Sequence, residues 1–289
     1  MQFVWSDQNA LRAGRIAISR LTELGIHMPS GSRLPAAIAR IERAKARPIV
    51  NIIDDADFAY RLVQSHRTVL EFYVISTALH AIPGGWHDRL ALAMGGEDIP
   101  DEDRSSMPRD AQFELLIISL VHHAGILDIE AAEPDIRVKA GDKWIGIAAK
   151  RVTSRAKLRK RLSHASNQIQ RQYESGVEFG LIAINVDAAI DFVSHELGIA
   201  RARAEFNSIA KASEEFIQSR PGKERVPGIQ TFSTLFDWQP SGVGLALGLE
   251  FLTHSRWTLP ESEASQIQRF LAGRGHHLER KLGHLLATL

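Results

Sequence analysis

The residues best suited to chemistry lie close together in the middle of the chain. Glu133-Pro134-Asp135-Ile136 is followed, beyond the turn-forming pair Gly141-Asp142, by Ile147-Ala148-Ala149-Lys150-Arg151. Asp135 to Lys139 alternates charged and apolar residues, and Lys143 to Val152 is rich in Ile and Val. With the turn between them, the two stretches predict a β-hairpin. Alternate residues of a strand share a face. Trp144, Gly146, Ala148 and Lys150 therefore point one way, while Ile145, Ile147 and Ala149 point into the core. On the partner strand Asp135, Arg137 and Lys139 share a face, opposite Ile136 and Val138. The hairpin thus presents Asp135, Ala148 and Lys150 to one surface. A carboxylate can hold a divalent cation and an ammonium group can stabilise negative charge, so this pair suits chemistry on an anionic group.

Cations follow at once. Lys150, Arg151, Arg155, Lys157, Arg159, Lys160 and Arg161 fall within one stretch that contains no acidic residue. A helix from Ser154 to Tyr173 would place Arg155 and Arg159, four apart, on a common face. Such a helix directly after the hairpin can grip phosphates with salt-sensitive, largely sequence-independent affinity. The plain alternatives are that the run is a solvated helix face, that Asp135 caps a turn, and that Lys150 is a solvated strand residue.

Elements around these residues must position them. Phe113, Leu116, Ile117, Leu120 and Val121 mark one face of a helix over 109–123, ended by Gly125. A weak strand is predicted at 126–129. Phe179 to Val186 is a nearly continuous apolar run, as in a central strand covered on both faces. A helix over 188–219, two strands at 229–238 and 243–251, and a last helix over about 260–286 complete the reading. The first 95 residues read as mostly helical, with Leu11, Ile16, Ile18, Leu21 and Leu24 ending at Gly25, and Phe58 to Leu79 at helical spacing. Gly95 to Pro108 reads as an exposed linker, which suggests a helical N-terminal region (1–107) and a second region (108–289).

The order helix, strand, turn, strand, basic helix, strand, with these side chains, resembles the PD-(D/E)xK nuclease superfamily. Pro134-Asp135 matches its "PD", and Ala148-Ala149-Lys150 falls where "(D/E)xK" is expected. The resemblance implies an α/β fold with a restriction-endonuclease-like core: a mixed central sheet of about five strands flanked by helices. It implies a DNA endonuclease of a restriction, repair or anti-phage defence type, using Mg²⁺ or Mn²⁺. Asp135 would be the main metal ligand, the Ala149 carbonyl another, and Glu114, on the preceding helix, would reach the metal through water. Lys150 would orient the attacking water or stabilise developing charge. Gln168 and Gln172 lie where some members carry a glutamine motif, and would join the cations on the nucleic acid. Double-stranded DNA, a second copy of the chain, and a partner ATPase or defence protein are the implied partners. Ala148 departs from the pattern, because a methyl group neither ligates a cation nor accepts a proton. Three explanations stay open: a deliberate change that inactivates the enzyme, a natural relative that binds nucleic acid without cutting it, or replacement of the missing charge by Glu114 or Glu133.

Composition narrows the field further. The chain has 289 residues, formal net charge +1 and no cysteine. The first allows a substantial core, the second restricts nucleic-acid binding to a local patch, and the third excludes disulfides, thiolate zinc sites and a cysteine nucleophile. No signal peptide and no apolar stretch of about 18 residues is evident, so a cytoplasmic protein is expected. His122-His123 and His276-His277 are adjacent pairs that diverge by about 100° on a helix and chelate poorly. Asp54-Asp55-Ala56-Asp57 lacks the rest of a calcium loop and reads as a helix start. Walker, GxGxxG and GxSxG motifs are absent.

Overall fold

The computed structural model describes residues 2–257 except for 30, 48–50, 53, 83–85, 98–104, 127, 131, 133–134, 141–142, 173–176, 178, 191–197, 224–225, 227 and 242–243, together with Leu285, Leu286 and Leu289. The elements in chain order are β1 (Gln2–Ser6), α1 (Asp7–Glu23), α2 (Arg33–Lys45), α3 (Ala56–Thr77), α4 (His87–Met94), α5 (Met107–His123), β2 (Ile129–Glu130), β3 (Ile136–Ala140), β4 (Lys143–Arg151), α6 (Leu158–Gln172), β5 (Phe179–Asn185), α7 (Gly198–Gln218), β6 (Gly228–Ser241) and β7 (Gly244–Trp257). This is an α/β fold on an open, mixed sheet of seven strands, ordered β1-β7-β6-β5-β4-β3-β2. The expected helix over about 260–286 lies outside the described residues but for its last two positions.

Strands β4, β5 and β6 are parallel and the other neighbours antiparallel. The predicted hairpin forms, with Ile136 opposite Ile147 and Ala140 opposite Lys143. The sheet has seven strands where the resemblance implied about five. One is β1, in a region read as helical, which pairs with β7 from Gln2↔Glu250 to Ser6↔Ala246. A five-residue edge strand carries too little alternation to stand out, and its partner lies more than 200 residues downstream. Another is the weak strand expected at 126–129, which forms only as the two-residue β2 at Ile129–Glu130.

Helices cover both faces of the sheet. One face carries Ile145, Ile147, Ala149, Leu181 and Ala183 into a core shared with α1 to α5, so the first hundred residues and the sheet bury their apolar surface together. Helix α5 lies inside this core. Leu115 and Ile118 are buried beside Phe113, Ile117 and Val121, so it is covered nearly all round rather than along one face. The other face carries Ala148, Ile182 and Ile184 against Leu158, Leu162 and Ile169 of α6 and Phe206 and Ile209 of α7. Helix α6 sits low on the sheet because position 180 is glycine: a Cβ there would stand 1.9 Å from Ile169 Cγ2.

Local signals set the helix boundaries. Ser6 accepts from the Asn9 N–H and Asp55 from the Phe58 N–H, so the acidic run at 54–57 does start a helix. Gly25 and Gly125, with φ of 77° and 93°, follow the ends of α1 and α5, where a left-handed residue suits glycine. The Trp5 indole donates to His66 Nδ1 at 3.0 Å, and His66 Nε2 lies 3.1 Å from Asp7 Oδ1, tying β1 and α1 to α3.

Candidate functional site at the start of the hairpin

The site lies beyond the first residue of β3, where the end of β4 runs past it. Asp135 Oδ2 accepts from the Ala149 N–H at 2.8 Å and from Lys150 Nζ at 2.5 Å. Its Oδ1 accepts from Gln168 Nε2 at 3.3 Å. Lys150 is only 7% exposed, so it is not a solvated strand residue. Residues 133–134, the rest of the first motif, lie outside the described residues. The bond from the Ala149 N–H shows how the backbone contributes. In an extended strand the N–H and C=O of one residue point to the same side. The Ala149 carbonyl therefore also points toward the Asp135 side.

The two glutamines have partners of their own. Gln168 holds Asp135, and Gln172 Oε1 accepts from Arg137 Nη2 at 3.0 Å. Four residues of helix advance about 6 Å and two residues of strand about 7 Å, so the pairs match along α6 and β3. Arg137 shares the Asp135 face, as alternation requires, but nothing in the sequence gave it a function. Gln172 is thereby engaged with the protein.

Glu114 reaches the site from α5, on the other side of the sheet. It is 5% exposed, and its Oε2 lies 3.4 Å from Arg89 Nη1. Burial, reinforced by the negative charge of Asp135, pushes its pKa up to about 7, against the pull of Arg89 and Lys150. Burial also raises Asp135, and the charge and hydrogen bond of Lys150, with the Ala149 N–H and Gln168, offset this only in part. Two carboxyls with pKa values raised by burial beside a lysine are a common feature of functional sites.

The predicted cations separate. Arg155, Lys157, Arg159 and Lys160 are exposed. Arg155 and Lys157 occupy a 3₁₀ turn ahead of α6, so the helix begins later than expected. Arg161 is half-buried and faces α5: its Nη1 lies 3.9 Å from Asp110 Oδ2 and its Nη2 donates to Ser106 Oγ at 3.4 Å. Arg151 does not join them. Strand alternation turns it to the opposite face, where it is 6% exposed and 3.7 Å from Glu71 Oε2. Burial raises the pKa of Glu71, which also accepts from Gln112 Nε2 at 2.5 Å. Gln112 in turn accepts from Arg33 at 2.5 Å, so a buried polar chain runs from α2 through α5 and α3 to the end of β4. This chain underlies the site and was not legible in the sequence.

Ala148 is fully buried, among Val152, Leu158, Ile182 and Ile184. Among the described residues, the donors a cation could use are then Asp135, Glu114 and the Ala149 carbonyl; Glu133, the other carboxylate considered, lies outside them. That oxygen set fits Mg²⁺ or Mn²⁺, which bind through one or two carboxylates and keep several waters. The raised carboxyls fit as well, since a cation would relieve their mutual repulsion. No group of three or more His, Asp or Glu side chains suited to a metal occurs among the described residues, so a site built from these would rest on two carboxylates. No described helix is long and apolar enough to cross a membrane. Comparison with protein-family models, with curated proteins and with solved structures returned no match.

Proposed function

We propose that the chain is a nuclease of the PD-(D/E)xK type, with a restriction-endonuclease-like core, in which Asp135, Glu114 and the Ala149 carbonyl hold one divalent cation. The observation that carries this reading is the 2.5 Å contact between Lys150 Nζ and Asp135, two nearly buried groups whose charges both act on Glu114. Asp135 is positioned by the Ala149 N–H and by Gln168. Lys150 sits where its ammonium can stabilise negative charge on a phosphate. Glu114, with a pKa of about 7, can accept a proton near neutral pH. A bound divalent ion would offset the phosphate charge and lower the pKa of its water. Arg161 lies on the face of α6 that looks toward the site and would meet the phosphate backbone once released from Asp110.

A second reading is favoured by Ala148 itself. Its side chain belongs to an apolar cluster, so the protein is packed for a methyl group at this position. On this reading the fold binds nucleic acid and does not cut it.

Metal binding and cleavage separate the two. The purified chain is titrated with Mn²⁺ by calorimetry, beside Asp135→Asn and Glu114→Gln, and each is incubated with single-stranded and duplex DNA and RNA. Binding that both variants abolish, with cleavage, supports the nuclease. Absence of metal binding in the wild type overturns it. Ala148→Glu adds a further test. Burying a carboxylate here costs several kcal/mol unless a cation accompanies it. The variant is expected to melt well below the wild type in EDTA and to recover most of the loss in Mn²⁺. Equal melting with and without Mn²⁺ would remove position 148 from the metal site.

A further inference from the structure

Helix α6 has a second functional face. On the side away from Asp135, a cavity of about 750 Å³ opens between the 155–162 segment and α7. That volume falls within the range of about 300–1,000 Å³ usual for small-molecule sites. Phe216 gives it an apolar wall over a floor of the buried Leu158, Leu162 and Ile209, and Arg155 and Arg159 stand on its rim. Both arginines are exposed, and neither has an ion pair among the described residues. The α7 side is built of small residues, Ser208, Ala212 and Ser219, which leave the space open.

The Phe216 ring is held in place. The Arg220 guanidinium lies 5.3 Å from the ring centre, and Arg220 is itself fixed across to α6 by Ser163 Oγ at 2.6 Å and Asn167 Oδ1 at 3.0 Å. An aromatic ring held by a cation on one side, facing a cavity with two exposed arginines that make no ion pair among the described residues, suits a flat apolar body that carries an anionic group. Glu215, on the same wall, can accept from amino groups on such a body and disfavours a phosphate on its own side. The phosphate is thereby directed to Arg155 and Arg159.

We propose that this cavity takes one unpaired nucleotide of a bound strand, its phosphate on Arg155 and Arg159 and its base against Phe216. The proposal rests on the nuclease reading in taking the occupant to be part of a nucleic acid. It deepens that reading by naming the substrate class: a single strand, or a duplex with a base displaced. Aromatic and cationic grooves of this kind bind single strands with little sequence preference. The cavity and the Asp135–Lys150 site lie on opposite flanks of α6, separated by about one helix diameter across it and by roughly two turns along it, from the 155–162 segment to Gln168. A strand of a few nucleotides running obliquely over α6 would reach both.

The test uses the full chain in EDTA, where no cleavage intervenes. Binding of a short single-stranded oligonucleotide carrying one 2-aminopurine is followed by anisotropy and by base fluorescence. The wild type is expected to prefer the single strand to its duplex and to change the fluorescence on binding. Arg155→Glu/Arg159→Glu and the cavity-filling Ala212→Trp are each expected to weaken single-strand binding about tenfold or more. Position 212 is exposed, so Ala212→Trp should leave the melting temperature unchanged; Phe216→Leu, which keeps the apolar wall, provides a second variant if it does not. Wild-type binding by these variants overturns the proposal. So does competition by dAMP or by polyglutamate as strong as that by the oligonucleotide, since the cavity would then serve a free nucleotide or an acidic chain. Failure of metal binding at Asp135 with groove binding intact would sink the nuclease reading alone. Metal-dependent cleavage with unaltered binding by the groove variants would sink this inference alone.

Discussion

Glu114 shows how one residue can make the site sensitive to pH. Its pKa lies near 7 in the folded chain against about 4.5 when free, because burial and Asp135 disfavour its charge. Between these two values the folded chain holds more protons than the unfolded one, so stability falls as pH rises through that interval and the cost is complete above about 7. The shift corresponds to about 3 kcal/mol as an order of magnitude. Glu114→Gln is expected to flatten the dependence of unfolding free energy on pH between about 4.5 and 7. Asp135 and Glu71, also raised, would leave part of the slope in place. Urea denaturation across this range measures it, and an unchanged slope in Glu114→Gln would remove Glu114 as a buried acid. On the proposed reading a bound Mn²⁺ would compete with the same proton, so a Mn²⁺-induced rise in melting temperature is expected to grow between pH 5 and 8.

At the scale of elements, the site depends on how closely α6 lies on β5. Gly180 permits that approach, because any Cβ would meet Ile169. Gly180→Ala must push α6 outward or distort Ile169, at a cost of about 1–3 kcal/mol. Gln168 is one residue before Ile169 on the same helix, so the push would also stretch its bond to Asp135. Chemical denaturation should show the loss of stability, and calorimetry should show a parallel weakening of Mn²⁺ affinity. Destabilisation with wild-type Mn²⁺ affinity would uncouple the helix from the site. The Gln168–Asp135 and Gln172–Arg137 pairs act at the same scale, fixing the register of α6 along β3.

The whole molecule is closed by its N-terminal strand. β1 forms one edge of the sheet against β7, and Trp5, 1% exposed, joins the core of α1 to α5 while donating to His66. Trp5→Ala would leave a cavity in that core and remove the only donor to His66 Nδ1 that the Trp5 side chain supplies. It is expected to lower stability by about 3–5 kcal/mol, read from the urea midpoint. A change below about 1 kcal/mol would show that the N-terminal helices and the sheet are energetically separate.

Much of the site was legible in the sequence because its determinants are local. Strand alternation put Asp135 and Lys150 on one surface, the Gly141-Asp142 turn joined their strands, and the apolar run at 179–186 marked the strand behind them. Arg151 was misplaced because proximity in sequence to Lys150 counted for more than the alternation that turns it into the core. Glu71, Gln112 and Arg33 gave no signal, since a buried polar chain is assembled from helices far apart in sequence. The groove above α6 has the same origin: Arg155 and Arg159 belong to one segment, but Phe216 and Ala212 come from the next helix. The sequence by itself determined the hairpin, its paired carboxylate and lysine, and the cations that follow. Only the tertiary structure decided which side of α6 each cation faces, that Ala148 is enclosed in apolar packing, and that β1 completes the sheet, because these follow from contacts between distant segments and not from the local periodicity that a sequence displays.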